Sequence, residues 1–450
     1  IILEQLGYLL DDEVERLYRR FKEEGLNGQD INEAIENNID IEHILREASA
    51  LWDGGYVITG LTGSGDMFAF RDPQGIRPAF YYVSEEVIVV ASERPVIQTV
   101  FDLKVEDVCE LLPGQSIVVK RNGSWKLSQI HPALNVMPCS FERIYFSRGS
   151  DCDIYKERKE LGRLLTEDIL KQVGYDLDHT VFSFIPNTAE IAYYGMMQGL
   201  EAWLDRQKCE MICEQKDLLT CGQIREILAK QVRTEKLAIK DIKLRTFIAE
   251  GNSRNDLAAH VYDTTYGTVR EGQDSIVVID DSIVRGTTLR QSIIKILCRH
   301  RPRRIVIVSS SPQIRYPDCY GIDMSRMGEF IAFHAAVALL KERGMEKMIK
   351  EVYDKSKAQV GMPKEKVVNY VKEIYAPFTD EEISLKIAQM ITPEDCPSEI
   401  RVIYQSIENL HKACPKHRGD WYFSGNYPTP GGNRLVNKAY VDWYELTGSH

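Results

Sequence analysis

Two adjacent carboxylates, Asp280 and Asp281, sit between an apolar run and a small-residue turn in SIVVIDDSIVRGTT, residues 275–288. The run has the Ile/Val content of a buried strand, and the turn opens what reads as a helix. A strand feeding directly into a Gly-containing turn and a helix points backbone N–H groups at one place, which is a ready anion site. Gly286 tolerates positive φ and allows a phosphate to approach the backbone closely. Thr287 and Thr288 add hydroxyl donors. Asp280 and Asp281 fall at the carboxyl end of the strand, where open α/β sheets bind ligands. Paired carboxylates there accept hydrogen bonds from vicinal hydroxyls and help to hold a divalent metal. A phosphate cradle beside a diol acceptor describes a site for a ribose 5-phosphate. A lone aspartate before a helix reads more simply as an N-cap. The convergence of strand, diacid, glycine and hydroxyls is what separates this stretch from that simpler reading.

Elements must position these groups. Helical patterning fills the first fifty residues, with Val14, Leu17, Tyr18 and Phe21 on one face and Ile41, Ile44, Leu45 and Ala48 on another. From Trp52 to about Val119 short strands and turns take over, in YVITGL, MFAF, AFYYV, VIVVAS and SIVVK, and Asn122-Gly123 reads as a hairpin tip. Beyond about Pro138 helices alternate with the candidate buried strands VFSFIP, SIVVID and IVIVSSS, which implies a parallel sheet. Residues 200–243 read as a long charged helical stretch in which Cys209, Cys213 and Cys221 are half-buried packing residues. Residues 329–391 read as helical, and the tail GDWYFSGNYPTPGGNR as turn-rich.

The totals narrow the function classes. The 450 residues suffice for two domains or more, and a net charge of -11 argues against a general nucleic-acid surface. No apolar run reaches the length of a membrane span, and ten scattered cysteines without a dense framework suit a reducing, cytoplasmic setting. His411, Cys414 and His417 with Cys396 match no common zinc spacing, and Pro415 interrupts them, so they read as chance.

VVIDDSIVRGTT resembles the phosphoribosylpyrophosphate (PRPP) signature of type I phosphoribosyltransferases, and its Arg-Gly-Thr-Thr ending resembles the glutamine PRPP amidotransferase branch. RDPQGIRP from Arg71, ASERP from Ala91 and PGQSIVV from Pro113 resemble that family's glutaminase domain. CSFERIYFSR, FIPNTAEIAYYG, RTFI, YGIDMSRMGEFIA and FSGNYPT continue the likeness in family order. The resemblance implies an α/β and α+β two-domain fold. Residues 1–135 would be the C-terminal part of an Ntn-type αββα glutaminase domain and 136–390 a type I transferase domain with a parallel sheet. Residues 391–450 would be a segment packing across both.

By the same resemblance, Asp280, Asp281, Ser282, Ile283, Val284, Arg285, Gly286, Thr287 and Thr288 bind PRPP, and Pro186, Asn187 and Thr188 form the pyrophosphate loop. Thr188, Asp280 and Asp281 would hold Mg²⁺. Asn187 and Ala189 stand where the family has Asp and Gly. Residues 245–268 resemble a loop that closes over PRPP, with His260 and Tyr262 where the family has cations and Arg254 a possible ligand. The implied reaction converts PRPP and glutamine-derived ammonia to 5-phosphoribosylamine and pyrophosphate in purine synthesis. Implied partners are PRPP, glutamine or ammonia, purine nucleotides as feedback inhibitors, and further copies of the chain, with no nucleic acid or membrane.

The pattern also breaks. Residue 1 is Ile, and nothing before Arg71 resembles the N-terminal cysteine nucleophile or its oxyanion hole. No catalytic residue is therefore assigned, the expectation being a chain recorded without its N-terminal portion and capable at most of ammonia-dependent turnover. At the four positions where some members ligate an iron–sulfur cluster stand Cys139, Asp318, Gly419 and Tyr422, which predicts a cluster-free form. Two rival readings are a nucleobase salvage transferase, against which RDPQGIRP and ASERP count, and a degenerate PRPP- or nucleotide-binding protein without catalysis.

Overall fold

A computed structural model describes residues 1–215, 218–240, 262–287, 289–321 and 324–447. The chain divides into two compact units, one comprising 1–139, 319–321 and 427–432, the other 140–318, 322–426 and 433–450.

The first unit opens with helices α1 (Ile2–Glu23), α2 (Gln29–Asn38) and α3 (Ile41–Ser49). Strands β1 (Val57–Leu61), β2 (Met67–Arg71), β3 (Phe80–Val83) and β4 (Ile88–Ala91) follow. After α4 (Arg94–Phe101) come β5 (Cys109–Glu110), β6 (Gln115–Val119) and β7 (Trp125–Gln129). All pairings are antiparallel, in sheets ordered β1-β2-β6-β7 and β4-β3-β5. Leu17, Phe21, Ile31, Ile35, Ile44 and Leu45 from the helices pack on Phe68, Phe70 and Val118 of the first sheet. Tyr18, placed on the buried face of α1 by its spacing, is instead 43% exposed, since the packed stripe is narrower than the patterning suggested. Asn122-Gly123 forms the expected tip of the β6–β7 hairpin, with Gly123 at φ +84°.

RDPQGIRP is a structural knot within this unit. The buried Asp72 carboxylate accepts from the backbone N–H groups of Gln74 (3.0 Å), Ile76 (3.1 Å) and Tyr56 (3.3 Å). Arg71 donates to the carbonyls of Arg77 (2.7 Å), Leu111 (2.6 Å) and Gly75 (3.0 Å) and to Glu110 (2.8 Å). Asp72 and Arg71 are thus spent on tying β2 to the loop before β3 and to the β5 end.

The second unit holds α5 (Cys152–Leu164), α6 (Thr166–Val173), β8 (Thr180–Phe184), α7 (Glu190–Glu214), α8 (Cys221–Ala229) and the short strands β9 (Arg233–Thr234), β10 (Ile239–Lys240) and β11 (Tyr262–Asp263). It continues through β12 (Ser275–Asp280), α9 (Ile294–Cys298), β13 (Arg304–Ser309), α10 (Ile331–Glu342), α11 (Lys347–Ala358), α12 (Asp380–Ile391), β14 (Glu399–Tyr404), α13 (Ile407–Ala413) and α14 (Pro430–Thr447). The sheet order is β14-β13-β12-β8-β9, and every pairing is parallel. The three apolar runs read as buried strands are its centre, and Val277, Val306 and Phe182 join Leu165, Ile169, Met196 and Leu200 in one core. The fifth strand, β14, comes from beyond residue 390.

Two readings of local structure are corrected. Among its described residues the 200–243 stretch is helical only through α7 and α8, and β9 then returns to the sheet beside β8. Cys209, Cys213 and Cys221 are exposed rather than half-buried, lying on the outward sides of these helices. The turn-rich tail runs into the 18-residue helix α14, with Pro430 as its first residue, a position proline tolerates because its missing N–H has no helical partner there. Replacing Asp72 by Ala leaves the backbone N–H groups of Tyr56, Gln74, Ile76 and Arg77 without this acceptor. Chemical denaturation should show a loss of about 3 kcal/mol, and an unchanged midpoint would contradict the structural role.

Candidate functional site

The parallel register brings two loops together. β12 is paired with β8 so that Ile279 lies opposite Phe184, and the Ile185 N–H donates to the Ile279 carbonyl at 2.9 Å. The chain leaving β8 is therefore Ile185-Pro186-Asn187-Thr188, directly beside Asp280-Asp281 leaving β12. The Pro186–Asn187 peptide is cis. The next strand fixes the other side, with the Ser310 N–H donating to the Asp280 carbonyl (2.9 Å) and the Ser310 hydroxyl to the Asp281 carbonyl (3.2 Å).

These groups line one open cleft of about 590 Å³. Its floor is Asp280, Asp281, Ser282, Ile283, Val284, Arg285, Gly286 and Thr287, and one wall is Pro186, Asn187 and Thr188. Each residue assigned to the site from sequence lies here, except Thr288, which lies outside the described residues. Not all of them offer a side chain. Ile283 is buried in the core, and the Val284 carbonyl accepts from the Ile331 N–H at 2.9 Å, so these two supply backbone to the cleft. Arg285 pairs with Glu329 at 2.5 Å. Gly286 has φ +70°, where a side chain is strained, and a Cβ there would fall 2.4 Å from Ile331 Cδ1 and 3.2 Å from Ile391 Cγ2, so both side chains would have to shift. Thr287 begins the turn into Leu289–Ile293 and α9 and is exposed.

The two acids are half-buried and adjacent. Burial first, and then the Asp281 charge, hold the Asp280 carboxyl well above the ordinary carboxylate range. Burial also raises Asp281, against the pull of the Ser282 hydroxyl (2.9 Å), the Arg158 charge and a hydrogen bond from the Thr188 hydroxyl. Thr188 thus reaches from the β8 loop to the β12 carboxylate, and the three oxygen-bearing side chains present a hard-cation donor set.

Other residues at this cleft were not assigned from sequence. Phe141, Tyr145 and Phe146 form an aromatic wall, with the Phe141 and Phe146 ring centres 4.8 Å apart. Tyr145 lay inside the quoted CSFERIYFSR, which was the one available signal. Burial, then Asp281 and Asp280, raise the Tyr145 phenol, and burial, then Asp280 and Asp281, raise that of Tyr262. Lys240 and Tyr262 face each other across β10–β11 at the rim. Arg158 is buried and donates to the carbonyls of Arg143 (2.8 Å) and Ser147 (2.6 Å), which orients the wall. Its helix reaches this depth because α5 and α7 touch backbone to backbone, where a Cβ on Gly195 would lie 1.7 Å from the Lys159 carbonyl oxygen. Arg245, Arg254 and His260, weighed as parts of a closing loop, lie outside the described residues.

Two further ligand questions are answered by the donors present. Among the described residues, Asp151, Cys152 and Asp153 bring possible ligand atoms within 4.8 Å of one another, but Asp151 is the N-cap of α5, accepting from Asp153 N–H (2.9 Å) and Ile154 N–H (3.2 Å). At the positions where the resemblance would put cluster ligands, the Tyr422 hydroxyl donates to the Asp318 carboxylate at 2.7 Å, both buried, and the Gly419 carbonyl accepts from Ser140. A donor set with one cysteine and a buried phenol–carboxylate pair does not fit a four-thiolate cluster. Cys396 is disulfide-bonded to Cys298 and takes no part with His411, Cys414 or His417.

No family model matches the chain. It is 26% identical over 409 residues to the amidophosphoribosyltransferase of Saccharomyces cerevisiae, covering 87% of this chain and 63% of the yeast protein. It is 30% identical over 292 residues to the amidophosphoribosyltransferase of Escherichia coli K12, covering 62% of this chain and 50% of that protein. Among solved structures, it resembles the glutamine PRPP amidotransferase from B. subtilis complexed with ADP and GMP. The TM-score is 0.56 at 21% identity, over 92% of this chain and 74% of that one. The chain thus spans between half and two thirds of the curated relatives cited, and over that span, in sequence and in fold, it is related to the amidophosphoribosyltransferases.

Proposed function

We propose that this chain carries the transferase centre of an amidophosphoribosyltransferase of purine biosynthesis, joining ammonia to PRPP to give 5-phosphoribosylamine and pyrophosphate. The observation that carries the proposal is the meeting of the Pro186–Thr188 loop and the 280–287 loop at the ends of adjacent parallel strands, with Thr188 hydrogen-bonded to Asp281. In this reading the backbone N–H groups of 282–287 hold the 5-phosphate, Asp280 and Asp281 accept from the ribose hydroxyls, and the Pro186, Asn187 and Thr188 segment holds the pyrophosphate. Asp280, Asp281 and Thr188 also hold Mg²⁺, which when bound neutralises phosphate charge. The ammonia lone pair forms the bond to the anomeric carbon as the C–O bond to pyrophosphate breaks, and one proton leaves the nitrogen. The ring carbon is cation-like at the transition state, so the protein contributes position and compensating charge rather than a covalent intermediate.

Residues 1–135 are then part of the glutaminase domain that supplies ammonia in the whole protein, and 391–450 complete the transferase. Its setting is the cytoplasm; no helix among the described residues is long and apolar enough to cross a membrane. ADP and GMP, bound to the B. subtilis neighbour, are the class of nucleotide to test as feedback inhibitors here, and a homo-oligomer is the assembly to test for.

Pyrophosphate release from PRPP, Mg²⁺ and ammonium tests the reading. Residues 1–450 should turn over with ammonium and not with glutamine, and Asp281→Asn should lower the rate at least about a hundredfold, the scale of a lost transition-state electrostatic contact. PRPP binding without turnover would instead favour a binding-only protein.

The raised carboxyls make a second prediction. Because folding raises the Asp280 pKa, the unfolded chain loses this proton first as pH climbs, and stability falls from about pH 4 upward through the folded value. Asp280→Asn removes that repulsion. Without metal at pH 7.5 the variant should melt about 2–4 °C higher than wild type, the shift expected for about 1 kcal/mol. The gap should close near pH 4, and Mg²⁺ should raise the wild-type midpoint more than the variant's. A variant that melts lower at every pH would contradict the electrostatic account.

A further inference from the structure

Two segments brace the phosphate loop from opposite sides. One continues directly from it, through the wide turn Leu289–Ile293 into α9, and ends at Cys298. The other is the end of α12, whose last residue, Ile391, packs against Gly286. Five residues beyond Ile391, in the turn before β14, stands Cys396. The two cysteines are disulfide-bonded, with Cα atoms 5.7 Å apart and a separation of 98 positions in sequence.

Past Cys396 the segments are also joined where β14 begins, the Ser398 hydroxyl donating to the Pro302 carbonyl at 2.6 Å and the Glu399 N–H to the Arg303 carbonyl at 3.3 Å. Nearer the phosphate loop they face each other across a gap. Arg290, Gln291 and Lys295 on one side and Pro393, Glu394 and Asp395 on the other enclose an open polar hollow of about 350 Å³. Among the described residues no ion pair crosses it, although cations line one side and carboxylates the other. The covalent bond is therefore the tie across this hollow, and a link that closes so long a loop restricts the chain strongly. Both cysteines are half-buried, flanked by the exposed Lys295, Arg299, Glu394 and Pro397, so small thiols can reach them. The eight other cysteines form no disulfide.

We propose that Cys298 and Cys396 form a thiol–disulfide switch acting on the phosphate loop. The bridge clamps the loop's own helix to α12 and keeps Gly286 seated on Ile391; reduction lets the two segments part and loosens the loop's hold on a ribose 5-phosphate. The partner in the exchange is a low-molecular-weight disulfide. Two protein thiols give up two electrons and two protons, the S–S bond forms in the protein, and the small disulfide is cleaved to two thiols. The effect on ligand rests on the phosphate-loop reading of 282–287; the clamp does not.

The test uses the full chain equilibrated in oxidised or in reduced glutathione. Peptide mapping should find the Cys298–Cys396 bridge only in the oxidised sample. Hydrogen exchange in peptides covering 282–287 and 289–298 should rise on reduction, and ribose 5-phosphate should bind about fivefold more weakly, the lower end of usual coupling between sites. Cys298→Ser should match the reduced protein in both buffers. Failure of the bridge to form in oxidised glutathione would overturn the proposal, as would a formed bridge with identical exchange in both samples. If exchange responds but ribose 5-phosphate never binds, the switch stands and the phosphate-site reading falls.

Discussion

Two carboxylates forced side by side at the end of β12 set the terms for the rest of the second unit. The strand cannot yield to relieve their repulsion. It is hydrogen-bonded along its length to β13 on one side and β8 on the other, and its residues from Ser275 to Ile279 are buried. The same pairing brings the Thr188 hydroxyl from the neighbouring strand end to the Asp281 carboxylate, while Ser310 on the other side donates to the Asp280 and Asp281 backbone carbonyls; among the described residues the carboxylates have no directly paired cation. Burial keeps their proton affinity high. A site built in this way is under-compensated when empty and is completed by positive charge, which is the behaviour expected of a metal- and diol-binding site rather than a structural ion pair.

The first unit teaches a different lesson about motifs. RDPQGIRP is one of the stretches on which the family resemblance rests, yet Asp72 and Arg71 are engaged in holding turns closed rather than in meeting a ligand. A buried carboxylate with several backbone donors restricts sequence as strongly as a catalytic group does, because its loss leaves each donor unpaired. The buried Asp318–Tyr422 hydrogen bond is a second case of polar groups satisfied by each other, a phenol donor and a carboxylate acceptor paired inside the second unit.

Much of this architecture was readable from local pattern. β8, β12 and β13 are covered on both faces, so they appear as continuous apolar runs, and the diacid and glycine at the end of β12 mark the cleft without further help. Strands of two residues such as β9, β10 and β11 carry no periodicity to detect, and for that reason Lys240 and Tyr262 were not placed at the rim by spacing. α14 begins with Pro-Gly-Gly-Asn, whose turn chemistry masked the helix behind it. Tyr145, Arg158 and the Cys298–Cys396 pair depend on contacts between residues distant in sequence, which only the assembled sheet and helices determine.

The central claim is that the diacid and the loop after it form one cation-completed site for a phosphorylated ribose. Calorimetric titration of PRPP into the protein, with Mg²⁺ and then with a chelator, tests it most directly. The account predicts one binding event per chain that ribose 5-phosphate competes away and that chelation weakens at least about tenfold, or 1.4 kcal/mol. Binding of equal strength with and without the metal, or none in a folded sample, would contradict it.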